Sequence, residues 1–369
     1  MQALRRALFM TFAAGLTLLA APQQFLTFIG NFGDSIPAFR LDTATGKLAS
    51  LGNVAQTPSP AWIAIHPSGK FLYVINERAD GVSAFSIDPK TAKLTPVNKV
   101  ATKGKGPCHG AVDHSGKALF VANYGSGSLE SFPLGPDGSI GERASFIQDE
   151  GSSANRSRQA GPHAHSANIS PDNRFLVLAD LGLDKLLVFK IDPATAKLTP
   201  NDPPFTAVKP GSGPRHFVFT PDSRFGYLID EMGNTIVAFD YDKQQGTLKE
   251  IQSLGTLPDD FKGESSGAEI AISPDSRFLY GSNRGHGSIA VYAIDKSTGT
   301  LTRIQDALTG GTTIRSFAID PSGQILLAGN QEANNVVVFR RDRTTGKLTL
   351  TGEKIETPTP VGITFLPAR

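Results

Sequence analysis

A single cysteine, Cys108, occurs in 369 residues. That excludes an intrachain disulfide framework and a zinc site built from several thiolates. Charge imbalance is equally scarce: 36 lysines and arginines against 34 acidic residues leave a net charge of +2. Arg5 and Arg6 are the only charges among the first twenty residues, so the rest of the chain is close to neutral. It has no electrostatic footprint for nucleic acid. Nor does any serine read as a nucleophile elbow between a strand and a helix, and no serine-triad spacing is present. Carbonyl chemistry on this chain is therefore expected to use water activated by a base.

What the chain does have is turn-formers. Thirty-eight glycines and 25 prolines punctuate short apolar runs, and 39% of residues are hydrophobic. That is the profile of a globular all-β protein. Residues 1–20 differ. Arg5 and Arg6 precede an uncharged stretch (ALFMTFAAGLTLLA, 7–20), with small residues at Ala20 and Ala21. The segment reads as a secretory signal peptide that is too short for a confident membrane span, with the arginine pair leaving twin-arginine export open. The expectation is export to the periplasm or medium, no stable membrane insertion after cleavage, and one domain over 21–369.

Internal repeats organise that domain. The turns HPSGKF (66–71), DHSGKAL (113–119), SPDNRF (170–175), TPDSRF (220–225), SPDSRF (273–278) and DPSGQI (320–325) recur. Their second residues, Pro67, His114, Pro171, Pro221, Pro274 and Pro321, serve as anchors. Nine residues after each comes Asn76, Asn123, Asp180, Asp230, Asn283 or Asn330. A constant interval of this kind marks one repeated hairpin, whose Asn and Asp side chains are expected to cap turns. Each unit then holds four strands, a to d. Residues 25–54 supply strands b to d of a further unit, and residues 360–367 supply only strand a. The expected fold is a seven-bladed β-propeller whose ring is closed by pairing these two segments, which leaves no open edge. Residues 148–162 and 255–267 interrupt the spacing just before an inner strand and are candidate loops over one rim.

The same register points to a site. Positions −6 and +10 from each anchor lie at one end of the a–b hairpin, so their copies ring the central channel. Position −6 reads Ala61, Cys108, His165, Arg215, Ala268, Arg315 and Val361. Position +10 reads Glu77, Tyr124, Leu181, Glu231, Arg284, Gln331 and Phe32. His165, Arg215, Glu231 and Arg284 form the candidate catalytic group. The arginines can hold a carboxylate, a phosphate or a developing oxyanion, and Glu231 or His165 can move a proton. His163, Glu77, Tyr124, Arg315 and Gln331 are candidate substrate-binding residues. His163 is expected to face the same side as His165 if the strand is regular. His109 and His216, both at position −5, read as structural, as does His286 in its turn. Cys108 has no evident activator and reads as inert. His163 and His165 lack a third metal ligand, so no metal and no organic cofactor is expected.

The segments GPHAHSANISPDNRF (161–175), GSGPRHFVFTPDSRFGYLIDEMGNTIVAF (211–239), AEIAISPDSRFLYGSNRGHGSIAVY (268–292) and RSFAIDPSGQILLAGNQEANNVVVFRRD (315–342) carry a family likeness. Over residues 25–367 the chain resembles the lactonase family of propellers, which includes the bacterial 6-phosphogluconolactonases and is related to carboxymuconate lactonising enzymes. The resemblance implies that His165 (or His163), Arg215, Glu231 and Arg284 are site residues and that the substrate is a small lactone. Cys108 and His114 depart from the pattern, as does Met-Gly after Glu231. Three functions follow: hydrolysis of a sugar lactone or related cyclic ester, a lactone-forming or lactone-opening isomerase, or a non-enzymatic exported binding propeller.

Overall fold

A computed structural model describes residues 23–368. The signal-peptide expectation falls outside the described residues. Seven antiparallel four-stranded sheets stand around a central channel: blades 1 to 6 span 60–101, 107–148, 164–207, 214–255, 266–308 and 314–356, and blade 7 joins 360–367 to 24–56. Blade 4 shows the pattern: strand a is Pro214–Phe219, b is Phe225–Asp230, c is Thr235–Asp242 and d is Thr247–Gly255. Strand b is buried throughout and strand d is largely exposed, so each blade grades from packed core to wet rim. Ring closure follows the sequence reading. Strand Pro360–Pro367 pairs with Gln24–Asn31 from Phe25↔Pro367 to Asn31↔Pro360. No helix among the described residues is long and apolar enough to cross a membrane.

The recurrent turn does more than reverse the chain. The residue two beyond the anchor, just before strand b, has positive φ in all six copies: Gly69, Gly116, Asn173, Ser223, Ser276 and Gly323. Glycine takes that conformation without strain, and Asn tolerates it better than Ser. The arginine that follows in three copies reaches the next blade. Arg224 donates to the carbonyls of Lys296 (2.7 Å) and Ser297 (3.0 Å), and Arg174 and Arg277 do likewise one blade back and one blade on. Three buried tyrosines, Tyr73, Tyr227 and Tyr280, donate to the carbonyls of Gly138, Gly299 and Gly346 in the neighbouring blade. Blades thus lock side to side by hydrogen bonds at the periphery and by shared apolar clusters near the channel.

The buried Asn or Asp at the end of strand b finds its partner in more than one way. In four blades that side chain pairs with the residue five further on: Asn123 with Ser128, Asp230 with Thr235, Asn283 with Ser288, and Asn330 with Asn335. In blade 3 that place holds Lys185, and Asp180 instead meets the carboxyl group of Asp149, which opens the 148–162 insertion. Asp180 Oδ1 accepts three backbone N–H groups, whereas Oδ2 of Asp180 and of Asp149 find no donor. A proton must sit between them. Burial, then the neighbouring Asp180 charge, pushes Asp149 up to about 8.

An unfolded aspartate titrates near ~4. The folded chain therefore keeps a proton that the unfolded chain releases. The stability this gives is present below ~4 and is lost as pH rises through about 8. Asp149→Asn places an amide donor opposite Asp180 and removes the titration. Its melting temperature should fall less than that of the parent between pH 5 and pH 8.5, by on the order of 2 °C. Parallel curves for the two proteins would show that the pair shares no proton.

Candidate active site

Every inner strand carries the same irregularity. The register slips between Pro60 and Trp62, Pro107 and His109, Ala164 and Ser166, Pro214 and His216, Gly267 and Ile270, and Ile314 and Ser316. The closing blade slips at Gly30/Asn31, opposite Val361. The unpaired residue is position −6, joined in the 266–308 blade by position −5, Glu269. A β-bulge re-aims side chains, and seven of them in register turn one ring of residues into the channel.

The bulge also breaks alternation. Residues −6 and −5 of one strand then line the same space, and both Ala61 and Trp62, and both Arg215 and His216, border a narrow cavity with Glu77, Cys108, His165, Arg315 and Val361. His216, read from sequence as structural, therefore lines the same cavity as the −6 residues. His163 and His165 part company for the same reason. His165 is buried in the cavity wall. His163 lies higher, stacked on Tyr124 (centroids 4.6 Å apart), with its Nδ1–H donated to the Tyr124 carbonyl at 2.9 Å.

Above the neck, Glu231 gathers three guanidinium groups. Arg158 Nη2 lies 2.6 Å from Oε1, and Arg284 Nη2 and Arg215 Nε lie 2.9 and 3.2 Å from Oε2. Arg215 also donates to the Ala268 carbonyl (2.6 Å) and Arg284 to that of Gly267 (2.9 Å). Burial alone would raise the Glu231 pKa, but Arg284, Arg215 and Arg158 together hold it at about 2. The three guanidinium groups favour the Glu231 carboxylate at neutral pH, and a carboxylate so held is a weak base. Burial, then Arg215 and His216, hold the His165 pKa well below the usual histidine range, so its ring is neutral.

The remaining expected residues divide. Arg315 approaches Glu77 at 3.9 Å and, with Arg78, lies over the Phe32 ring. Tyr124 borders His165 and receives Arg158 on its hydroxyl at 3.2 Å. Gln331 stays half-buried at the rim, and no side-chain hydrogen bond joins it to the cluster. Burial pushes the Cys108 thiol up to about 12, and the thiol donates to the His165 carbonyl. His286 bonds Ser288 and packs on Phe261 of the second insertion. A G-x-S-x-G string does occur, at 263–267, but Ser265 donates its proton to the Arg284 carbonyl (2.6 Å) and props that strand instead of serving as a nucleophile. Among the described residues no group of three or more His, Cys, Asp or Glu is placed to hold a metal ion.

Two contributors were missed from sequence. Arg158 comes from the 148–162 insertion, which Ser153 ties to Asp184 and Gln159 ties to the Leu181 carbonyl. Glu269, at position −5 of blade 5, is buried against His216 at 2.8 Å. Reading position −5 as a second ring would have found it: Trp62, His109, Ser166, His216, Glu269, Ser316 and Gly362.

Seven bulged inner strands converge guanidinium forks and neutral imidazoles on one channel mouth of a seven-bladed propeller. The model of the lactonase seven-bladed β-propeller family matches residues 27–365, and the chain belongs to that family. It is 35% identical over 294 residues to the 6-phosphogluconolactonase of Bacillus subtilis (strain 168), covering 78% of this chain and 83% of the relative. It is 38% identical over 299 residues to that of Formosa agariphila, covering 77% and 83%. Among solved structures, the periplasmic gluconolactonase of Pseudomonas aeruginosa superposes with a TM-score of 0.89 at 30% identity, covering 94% of this chain and 100% of that one.

Proposed function

We propose that the protein is a lactonase that opens an acidic sugar lactone with water. The observation that carries this reading is the meeting of Arg158, Arg215, Arg284 and Arg315, which outnumber the Glu231, Glu77 and Glu269 carboxyl groups that offset them, directly above a narrow neck. An excess of guanidinium groups suits a substrate with a phosphate or carboxylate, and suits the oxyanion formed when water adds to the ring carbonyl. The neck has room for about one water molecule and none for a sugar ring. Substrate would lie across the arginines with its carbonyl facing the neck, and a neutral imidazole would take the proton of the attacking water. The relatives named 6-phosphogluconolactonase, and the gluconolactonase neighbour, favour a six-carbon aldonolactone. Export directed by residues 1–20 would place the reaction outside the cytoplasm.

Purified protein assayed on phosphorylated and unphosphorylated lactones, with spontaneous hydrolysis subtracted, tests the reading. Acceleration of at least one acidic lactone is expected, and none on any would remove it. Arg158 gives a finer check. Its side chain is 44% exposed and comes from an irregular loop, so it contributes to binding more than to the fold. Arg158→Ala should raise KM about tenfold with an unchanged melting curve. An unchanged KM would place Arg158 outside the substrate's reach.

A further inference from the structure

The second ring of the channel has its own chemistry, and we infer that it supplies the base of the reaction: His216, oriented by Glu269, accepts the proton of the water held in the neck. The inference rests on the lactonase reading above. His216 Nδ1 and Glu269 Oε1 are 2.8 Å apart, both residues are buried, and His216 lies on the cavity wall. The two imidazole nitrogens point in divergent directions. Nδ1 is engaged by Glu269, so Nε2 is the nitrogen left free, and His165 and His109 stand with ring centroids 5.1 and 5.4 Å from that of His216. A carboxylate that holds one imidazole nitrogen while the other meets the reacting atom is the arrangement of a general base.

The other candidates in the channel lack that arrangement. Glu231 is held ionised by three arginines. His165 Nδ1 faces only the Cys108 sulfur, at 3.9 Å, and no carboxylate bonds its ring. His109 Nδ1 accepts the Ala167 N–H at 3.3 Å, so in the neutral ring the proton sits on Nε2 and no lone pair is left for water. Trp62 stacks on His109 at 4.3 Å and separates the neck from the apolar mouth at the other end of the channel, whose lining it shares.

The pair also has the right titration. Burial raises Glu269 to about 7, with Arg215, the Ile270 N–H, His109 and the Ser316 hydroxyl pulling the other way. Burial, then Arg215, Arg315 and Arg284, lower His216 well below the usual range, opposed by Glu231. His165 and His109, the other titratable rings facing the pair, are neutral as well. Below about 7 the pair therefore carries its proton on Glu269, which donates to Nδ1 and leaves a proton on Nε2. Loss of one proton leaves Glu269 ionised, moves the shared hydrogen to Nδ1 and bares the Nε2 lone pair. Water then gives its proton to Nε2 as its oxygen bonds the carbonyl carbon. The tetrahedral oxyanion collapses, the ring C–O bond breaks, and the departing alkoxide recovers that proton from Nε2. The product is a hydroxy acid, which ionises in solvent.

The experiment is a pH series of kcat and kcat/KM for the wild type, Glu269→Gln and Glu269→Asp on the lactone found by the panel. The wild type should gain activity as pH rises through about 7 and then level off. Glu269→Gln keeps shape and loses the charge and the shared proton. Its kcat should fall roughly 10²-fold or more with KM little changed, and the rise near 7 should vanish. Glu269→Asp, which keeps the charge, should recover part of kcat and the pH dependence. A flat wild-type profile between pH 5.5 and 8.5 overturns the proposal whether or not the variants fold. So does a folded Glu269→Gln with full kcat, and both results leave the lactonase reading standing. A wild type inert on every lactone overturns that reading, and this proposal with it.

Discussion

Removal of residues 358–369 is expected to leave a chain that no longer melts as one cooperative unit. Strand Pro360–Pro367 is the innermost strand of blade 7 and the only part of that blade supplied from the C-terminal side. It pairs with the N-terminal strand over seven residue pairs. Val361 and Leu366 are buried, and Ile363 and Phe365 pack against the cluster of Phe25, Ile29 and Leu41. Two buried and two half-buried apolar side chains contribute about 5 kcal/mol. The lost ladder hydrogen bonds add several more at about 1 kcal/mol each. The sum is comparable with the whole stability of an ordinary domain, about 5–15 kcal/mol. Loss would also expose the edge of Gln24–Asn31, seven of whose eight residues are buried, as a template for pairing with other chains. Calorimetry with gel filtration is the measurement. A truncated protein that stays monomeric and melts within a few degrees of the parent would show that the ring does not depend on this strand.

The closure strand was legible because the repeat has fixed internal arithmetic. An anchor turn and an Asn or Asp nine residues on define a hairpin without any energy calculation, and a lone strand a at one end of the chain must find the blade that lacks one. The −6 and +10 columns came from the same arithmetic and placed His165, Arg215, Glu231 and Arg284 at one mouth. The second ring stayed hidden because His109 and His216 recur at one position of neighbouring blades, which reads as structure, and because strand alternation turns position −5 away from position −6. The bulge that voids the rule is a backbone event: a slipped register at residues as unlike as Ala61 and Arg215, with no side-chain signature in common. Arg158 was illegible for another reason. It lies in an insertion outside the repeat, where no register predicts its reach. The weak basicity of Glu231 depends on three arginines from positions −6, +10 and that insertion, and only coordinates show them meeting on one carboxylate.

Glu231→Gln is expected to reduce kcat/KM roughly 10²–10³-fold while the pH profile keeps its shape. Glu231 holds Arg215 and Arg284 by one oxygen and Arg158 by the other. Held at about 2, it does not change charge at any pH where lactone hydrolysis is measured. Its work is electrostatic: one negative charge keeps three guanidinium groups close enough to share an anionic substrate. Glutamine preserves the shape, but only its oxygen can accept, so the arginines on one side keep a neutral acceptor and those on the other meet an amide N–H. Arg215 and Arg284 then repel each other, and Arg158 loses the charged partner that draws it over the site. KM should rise and kcat should fall together, because the forks hold both the ground-state anion and the oxyanion. Removing one partner from a largely buried charge cluster also lowers stability, so a reduced melting temperature is expected and activity must be read well below it. The discriminating quantity is the pH dependence. If the rise near neutrality persists in Glu231→Gln and is absent from Glu269→Gln, the two carboxylates have separate duties, one holding arginines and the other backing an imidazole. If instead Glu231→Gln erases that rise, Glu231 is the titrating base, and the arginines must release it when substrate binds.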